Sequence, residues 1–149
     1  MTSNPEKAAL RKHLLEKRDS TSFDLMGIHS EKILSKLMKT KVISEAESIA
    51  CYYSIGSEVQ TVELITRLLE EKKSVSLPRI SSNAMSFRII DDLSKLDKGE
   101  FDIPEPKDNA PIQEKHDVIL VPCVGLDGEG NRIGSVSYTH LTLPTICSV

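Results

Sequence analysis

Basic side chains recur near the start of the chain at helical spacing. Lys7 and Arg11 lie one helical turn apart and Arg18 follows two turns later, so the three project from one helix face. The positive end of the helix dipole would lie beside the first two, and such an end attracts phosphate groups. A phosphate-binding helix is one interpretation. The other is a solvated basic face, because spacing alone does not identify a nucleotide.

A carboxylate and an aromatic side chain lie near the carboxyl end of the first predicted strand. Glu58 comes two residues after Gly56, at the carboxyl end of that strand, where open α/β sheets place ligand-contacting groups. Its carboxylate could accept hydrogen bonds from the amino and ring N–H groups of a pterin, and Tyr53 could offer a flat wall to the ring. The competing interpretation makes Glu58 a loop charge and Tyr53 a core residue.

A glycine-spaced segment, GLDGEGNRIG at residues 125–134, forms the third group. Its glycines allow backbone N–H groups to turn towards phosphate oxygens, and Arg132 adds a fixed positive charge. It is not a Walker loop, because GxxxxGK[ST] is absent, and it lacks the sixth-position glycine and twelfth-position glutamate of an EF-hand. A plain hairpin turn would also explain the segment.

The remaining reactive side chains form no metal-binding or nucleophile pattern. The histidines lie without metal-ligand spacing, at His13, His29, His116 and His140. Cys51, Cys123 and Cys147 include no CxxC pair, and the first two lie in apolar runs, where we expect them to be core residues. This cysteine usage is typical of a reducing compartment.

Composition limits the partners of the chain. Its 149 residues, 39% of them hydrophobic and 28% charged, predict one globular domain. The formal net charge of −3 argues against a surface built for nucleic acid or anionic lipid. No segment approaches the roughly 20 apolar residues that span a bilayer, and the N-terminus has no signal-peptide run. We therefore expect a cytoplasmic protein without nucleic-acid or membrane partners.

Two helices are predicted before the first strand. Asn4 can cap a helix that runs through Arg18, and Ser22 can cap a second helix, with Lys39 and Lys41 near its negative end.

The rest of the pattern alternates strands with a helix. Thr61 can cap a third helix between predicted strands at residues 48–54 and 74–78. Residues 85–90 form a further strand, and the apolar run HDVILVPCVGLD at residues 116–127 closes the series. A strand, helix and strand in this order build a parallel sheet, so an α/β layer structure is expected.

Taken in order, these features resemble the 5-formyltetrahydrofolate cyclo-ligase family, also called methenyltetrahydrofolate synthetase. The resemblance extends from Lys7 to Gly134. It rests on the N-terminal KxxxR and on the ordered segments ACYYSIGSEVQT, SLPRI, MSFRI, GEFDIPEP and VILVPCVGLDGEGNRIG. The implied fold is a three-layer α/β/α sandwich with a mainly parallel sheet, here missing its C-terminal elements.

The resemblance also implies roles for individual residues. ATP is expected to contact two segments, which comprise Lys7, Ala8, Ala9, Leu10 and Arg11, and Arg132, Ile133 and Gly134. Lys7 and Arg132 are the candidate catalytic cations. Folate is expected to contact Tyr53 and Glu58 and, through the family's characteristic loop, Phe101 and Glu105.

The implied reaction is the ATP-dependent cyclisation of 5-formyltetrahydrofolate to 5,10-methenyltetrahydrofolate, with release of ADP and phosphate. A formamide oxygen leaves poorly, so it must be phosphorylated before the neighbouring folate nitrogen attacks the formyl carbon. The family uses Mg2+, and the expected magnesium ligand lies in the segment that this chain does not match. The alternative is a non-catalytic folate- or nucleic-acid-binding protein on the same scaffold, and a sugar-phosphate isomerase of similar fold is an analogy only.

The resemblance ends after the RIG of residues 132–134. The family continues into a glycine-rich turn, often GYGxGYYD, whereas this chain continues with SVSYTHLTLPTICSV. Residues 136–145 resemble the translation of a sequencing adapter. We therefore predict an incomplete cyclo-ligase domain over residues 1–135, a non-native tail over 136–149, and no activity for this chain. The competing interpretation is a real strand, since apolar and polar residues alternate in SVSYTHLTL.

Overall fold

Four helices begin the described part of the chain or connect its strands. The computed structural model describes residues 5–81, 84–99, 102–129 and 131–133. Predictions that involve Asn4, Phe101, Gly130, Gly134 and the tail from residue 136 lie outside these residues. The helices are α1 at Pro5–Asp19, α2 at Phe23–Met38, α3 at Lys41–Glu45 and α4 at Val62–Glu70, with a short 3-10 helix at Leu93–Lys95.

The second helix begins as predicted. Ser22 has an extended backbone, and its Oγ accepts a hydrogen bond from the Leu25 N–H at 3.2 Å. α2 ends at Met38, with Lys39 as its C-cap. Lys41 begins a further helix, α3, which Thr40 caps with its Oγ1 accepting from the Ile43 N–H at 3.4 Å.

Thr61 precedes α4 but does not cap it. It occupies the N-cap position, yet its side chain makes no cap hydrogen bond. Its hydroxyl donates instead to the Tyr52 carbonyl at 2.7 Å and accepts from the Ser54 N–H at 3.1 Å. The predicted cap was therefore wrong, because the loop before α4 competes for the same hydroxyl.

Among the described residues, eight strands form three sheets. They are β1 at Ser48–Ala50, β2 at Ser74–Ser81, β3 at Ala84–Ile90, β4 at Asp97–Lys98, β5 at Pro104–Glu105, β6 at Val118–Ile119, β7 at Gly125–Leu126 and β8 at Arg132–Ile133. The central sheet has the order β3-β2-β1-β6, while β4 pairs with β5 and β7 with β8. The apolar runs predicted as strands at 48–54 and 116–127 are much longer than the paired segments β1 and β6.

The central sheet is mainly parallel. β1 pairs in parallel with β2 and with β6, whereas β2 and β3 are antiparallel. The connection from β2 to β3 is too short for the crossover that parallel neighbours need, so those two strands form a hairpin. The predicted mixed α/β fold with a mainly parallel sheet is confirmed.

The core lies mainly on one face of this sheet. Buried apolar side chains from α2, α3 and α4 pack there against alternate strand residues, namely Leu34, Ile43, Leu64, Ile65 and Leu68 against Ile49, Val75, Leu77 and Val118. A smaller cluster, Ala50, Phe87 and Ile119, occupies the other face. In the described ranges no helix is long and apolar enough to cross a membrane.

Candidate functional site

The loop at residues 54–61 leaves the carboxyl end of β1 and is closed by its own polar groups. The Ser54 N–H donates to Thr61 Oγ1 and the Thr61 N–H donates to Ser54 Oγ, both at 3.1 Å. Gly56 has a φ of 55°, in the left-handed region that glycine adopts without strain. These bonds give the loop a defined shape.

Glu58 is buried within this loop, with 7% of its surface exposed. Its Oε1 accepts a hydrogen bond from the Ile55 N–H at 2.9 Å. Burial raises the pKa of the Glu58 carboxyl, while the Ile55 hydrogen bond and the charge of Arg18 act in the opposite direction. One carboxylate oxygen therefore shapes the loop, and a ligand would have to bind chiefly through the other.

The two adjacent tyrosines have different surroundings. Tyr53 is half-buried and packs against the main core cluster. Tyr52 is buried, and its hydroxyl donates to the Val59 carbonyl at 3.1 Å. Burial raises the pKa of the Tyr52 phenol, and the charges of Cys51 and Glu58 add to the rise. Tyr52 is therefore close to Glu58, a position that the sequence analysis did not assign to it.

Strand alternation could have identified Tyr52. Ile49 and Cys51 belong to the main core cluster, so the next side chain on that face is Tyr53. Tyr52 follows Ala50 on the opposite face. Tyr53 as a wall for the pterin stays a prediction, and its packing against the core also fits the competing interpretation.

Arg18 joins the last turn of α1 to the loop. Its Nε donates to Ser57 Oγ at 2.7 Å, and the Ser57 hydroxyl donates in turn to the Asp19 carboxylate. Its Nη1 also lies 3.5 Å from the Cys123 carbonyl oxygen, which can accept a weak hydrogen bond. Three separate stretches of chain thus meet at one guanidinium.

The β7–β8 hairpin packs against the middle of α1. A Cβ added at Gly125 would lie 2.5 Å from Leu14 Cδ1. Gly125 pairs with Ile133 and Leu126 with Arg132, in antiparallel register. The interpretation of residues 125–134 as a hairpin therefore agrees with the described residues.

Two backbone N–H groups in the turn of this hairpin are satisfied within it. Asp127 Oδ1 accepts from the N–H groups of Glu129 and Asn131, each at 2.9 Å. A carboxylate within the chain thus occupies the position that an anion would take at two of the backbone donors. Phosphate binding by the hairpin would then depend on Arg132 and on other backbone groups.

The basic face of α1 is the face that contacts these neighbours. Four residues share one stripe of α1 by their spacing, namely Lys7, Arg11, Leu14 and Arg18. Leu14 and Arg18 contact residues 125 and 123, so α1 runs antiparallel to residues 123–126.

The expected ATP contacts on α1 differ in exposure. Lys7 is exposed and Arg11 half-buried further along the same stripe. Of the other expected ATP contacts, Ala8 is half-buried, whereas Ala9 and Leu10 are exposed.

Arg132 lies near the same region but projects differently. Because side chains alternate along a strand, Arg132 and Leu126 project from the opposite face of the hairpin to Gly125 and Ile133. Burial raises the pKa of Cys123, and the positive charges of Arg132 and Arg18 both oppose that rise. Both arginines therefore lie close enough to affect one half-buried thiol. Ile133 projects on the side of α1, because it shares the face of Gly125, which contacts Leu14.

Glu105 is anchored to β2 by a hydrogen bond. It is buried, and its Oε2 accepts from the Ile80 N–H of β2 at 2.6 Å. The segment after it is fixed by two arginines, since Arg79 donates to the Pro106 carbonyl and Arg88 donates to those of residues 108 and 110. No hydrogen bond joins Glu105 to Glu58 in the described residues, and the folate role of Glu105 stays a prediction.

Two surface pockets lie beside these elements. A groove of about 610 Å³ runs between α2 and the loop at 54–61, with Phe23, Ile28, Leu34, Ser54 and Gly56 in its wall. A second pocket of about 310 Å³ lies between β3 and the segment after Glu105, with Ile90, Leu96, Pro106 and Lys107 in its wall. The groove is the pocket adjoining the Glu58 loop.

The magnesium ligand expected from the resemblance lies in the segment that this chain does not match. Within residues 5–81, 84–99, 102–129 and 131–133, no three His, Cys, Asp or Glu side chains cluster closely enough to hold a metal ion. The expectation of Mg2+ therefore stays a prediction.

Comparison with known proteins identifies relatives. A model of the 5-formyltetrahydrofolate cyclo-ligase family matches residues 3–137. The 5-formyltetrahydrofolate cyclo-ligase of Haemophilus influenzae is 33% identical over 98 residues, which are 60% of this chain and 51% of that protein. A probable 5-formyltetrahydrofolate cyclo-ligase of Caenorhabditis elegans is 28% identical over 119 residues, which are 70% of this chain and 56% of that protein. The chain thus spans about half the length of these curated relatives.

Solved structures give the same likeness. The 5,10-methenyltetrahydrofolate synthetase of Aquifex aeolicus superposes with a TM-score of 0.78 at 32% identity, covering 87% of this chain and 66% of that one. The Mycoplasma pneumoniae 5,10-methenyltetrahydrofolate synthetase superposes with a TM-score of 0.66 at 23% identity, covering 90% of this chain and 72% of that one. The second likeness concerns the fold alone.

Proposed function

Because this chain belongs to the 5-formyltetrahydrofolate cyclo-ligase family, we propose that its full-length protein cyclises 5-formyltetrahydrofolate to 5,10-methenyltetrahydrofolate with consumption of ATP. The observation that carries the proposal is that the basic face of α1 contacts both the Glu58 loop and the β7–β8 hairpin. The helix proposed to bind phosphate is therefore in contact, through Arg18, with the loop that contains the proposed folate-binding carboxylate.

The chemistry requires two ligands side by side. The formyl oxygen attacks the γ-phosphorus of ATP, the bond from that phosphorus to the bridging oxygen breaks, and ADP leaves. The neighbouring folate nitrogen then attacks the formyl carbon and loses its proton. The carbon–oxygen bond breaks, and phosphate departs with the oxygen. The protein supplies positioning and charge for these steps rather than a covalent nucleophile.

Cations are the main resource for the first step. Lys7, Arg11 and Arg132 are proposed to hold the triphosphate and to offset charge on the transferring phosphoryl group. Lys7 and Arg132 would be the catalytic pair. Further ATP contacts would come from Ala8, Ala9, Leu10, Ile133 and Gly134.

Folate recognition is assigned to the loop after β1. Glu58 would accept hydrogen bonds from the pterin through the carboxylate oxygen that Ile55 does not use. Tyr53, Phe101 and Glu105 are proposed as further folate contacts. Family membership also favours Mg2+ as the metal that accompanies ATP, where it would offset charge on the phosphates; its expected ligand lies in the segment that this chain does not match.

The setting of the protein is also proposed. Its ligands would be 5-formyltetrahydrofolate and ATP in the cytoplasm, without nucleic acid, as the net charge of −3 favours. Residues 1–135 would be the cyclo-ligase domain and residues 136–149 a non-native tail.

The test is substrate-dependent nucleotide turnover. Full-length protein is mixed with ATP and Mg2+, with and without 5-formyltetrahydrofolate, and ADP, phosphate and the methenyl product are measured together. The proposal predicts equal amounts of all three, and none when either substrate is omitted. Binding of both ligands without product would favour the non-catalytic alternative instead.

A further inference from the structure

We infer that Arg18 is a positioning residue that couples the ATP site to the folate site, and this inference rests on the proposed function. Arg18 is not among the residues proposed to contact ATP or folate. It joins the element that carries Lys7 and Arg11 to the loop that carries Glu58.

The contacts of Arg18 reach three elements. Arg18 lies on the last turn of α1, on the stripe shared with Lys7 and Arg11. Its Nε holds Ser57 Oγ at 2.7 Å, immediately before Glu58 in the loop. Its Nη1 lies 3.5 Å from the Cys123 carbonyl, two residues before the hairpin that contains Arg132. One planar guanidinium therefore contacts elements of both proposed sites.

The chain around Ser57 makes this contact effective. Ser57 follows Gly56, whose φ of 55° turns the chain sharply, and it precedes the buried Glu58. Its hydroxyl is held from both sides, since it accepts from Arg18 and donates to Asp19. A shift of the last turn of α1 would therefore move Ser57, and with it the Glu58 carboxylate.

Coupling follows from this linkage. A triphosphate bound to Lys7 and Arg11 would fix α1, and Arg18 would then hold the loop in one geometry before folate arrives. Thermodynamic linkage requires the converse effect to have the same size, and such couplings typically change an affinity by about 5- to 150-fold. We expect ATP to tighten folate binding by a factor in that range.

The experiment measures this factor in the full-length protein. Calorimetric titration of 5-formyltetrahydrofolate is carried out with and without a non-hydrolysable ATP analogue. The variants are Arg18→Gln, Ser57→Ala and the double variant. Lys17→Gln is the control, because it removes the same charge from an exposed neighbouring position of α1.

The expected result is a loss of coupling without loss of binding. Arg18→Gln and Ser57→Ala should each reduce the coupling factor to near one. The double variant should lose no more, because both single changes break the same hydrogen bond, the one from Arg18 to Ser57. Each ligand alone should bind within about threefold of wild type, and Lys17→Gln should retain the factor. If Arg18 had a merely structural role, its loss would weaken the binding of both ligands and leave the coupling factor unchanged.

Several outcomes would overturn the inference. These are a wild-type factor near one, a retained factor in Arg18→Gln, or equal loss in the Lys17→Gln control. If Arg18→Gln does not fold, Ser57→Ala decides the matter, because it keeps the Arg18 charge. Turnover is measured separately, so absent product with intact coupling contradicts the proposed reaction alone. Failure of wild type to bind folate would end both proposals.

Discussion

Leu14 of α1 lies so close to Gly125 of β7 that a Cβ at position 125 would come within 2.5 Å of its Cδ1. The two residues are 111 positions apart in the sequence, and their contact brings the first helix beside the last described hairpin. Lys7 and Arg11 share the stripe of Leu14, and Ile133 pairs with Gly125. The two segments expected to bind ATP are therefore neighbours.

The first prediction concerns this contact. Gly125→Ala should lower the free energy of unfolding by about 1 kcal/mol, because the new methyl meets the end of a flexible side chain that can turn away. In a protein that already carries Leu14→Ala, the additional Gly125→Ala change should cost nothing. Urea denaturation of the two single variants and the double variant measures this difference. Additive effects would show that Leu14 does not restrict position 125.

The second prediction concerns Gly99. A Cβ there would collide with the Glu105 side chain, which is held in place because its Oε2 accepts the Ile80 N–H at 2.6 Å. Gly99→Ala should therefore cost about 1–3 kcal/mol through loss of that bond or through overpacking. Gly128→Ala is the matched control, because a Cβ there meets nothing within 4 Å. Equal thermal midpoints for the two variants would contradict this account.

The third prediction concerns pH. Burial raises the pKa of Glu58, so the folded state binds its proton more tightly than the unfolded chain does. The free energy of unfolding should therefore fall as pH rises from the ordinary pKa of a glutamate through the raised pKa of Glu58. Glu58→Gln keeps an acceptor for the Ile55 N–H but does not titrate, so its stability should decline less over that window. Parallel curves for the two proteins, followed by denaturation at a series of pH values, would contradict the prediction.

The fourth prediction separates the two ligands. In the full-length protein, Glu58→Ala should weaken 5-formyltetrahydrofolate binding by about 1–3 kcal/mol, the usual cost of a lost charged hydrogen bond, with ATP-analogue binding largely unchanged. Glu58→Gln tests the charge with less disturbance of the loop. Both dissociation constants are measured by calorimetry, and an equal loss of the two ligands would argue against a folate role for Glu58.

Local signals in the sequence predicted local structure well. Ser22 caps α2 as expected, because its hydroxyl needs only the N–H of Leu25, three residues away. Thr61 has the same sequence signal but its hydroxyl bonds to the Tyr52 carbonyl, a choice set by how the loop folds back on β1. Cap chemistry is readable where no distant partner competes for the hydroxyl.

Tertiary contacts of the site could be predicted only in part. The stripe of Lys7, Arg11 and Arg18 followed from helical spacing, but its partner, Ser57, lies 39 residues from Arg18 in sequence. The burial of Glu105 depends on the Ile80 N–H, 25 residues away. Periodicity shows which face of an element is distinct, whereas it does not show which segment packs against that face.

The central claim is that cations from α1 and from the hairpin hold one triphosphate. The most direct measurement is the dissociation constant of a non-hydrolysable ATP analogue for full-length wild type, Arg11→Ala and Arg132→Ala, with Lys17→Gln as control. We predict that each arginine variant weakens nucleotide binding by about 1–3 kcal/mol, while folate binding without nucleotide is unchanged. If Arg132→Ala bound the nucleotide as tightly as wild type while Arg11→Ala bound it more weakly, the claim that the hairpin helps to hold the triphosphate would be contradicted.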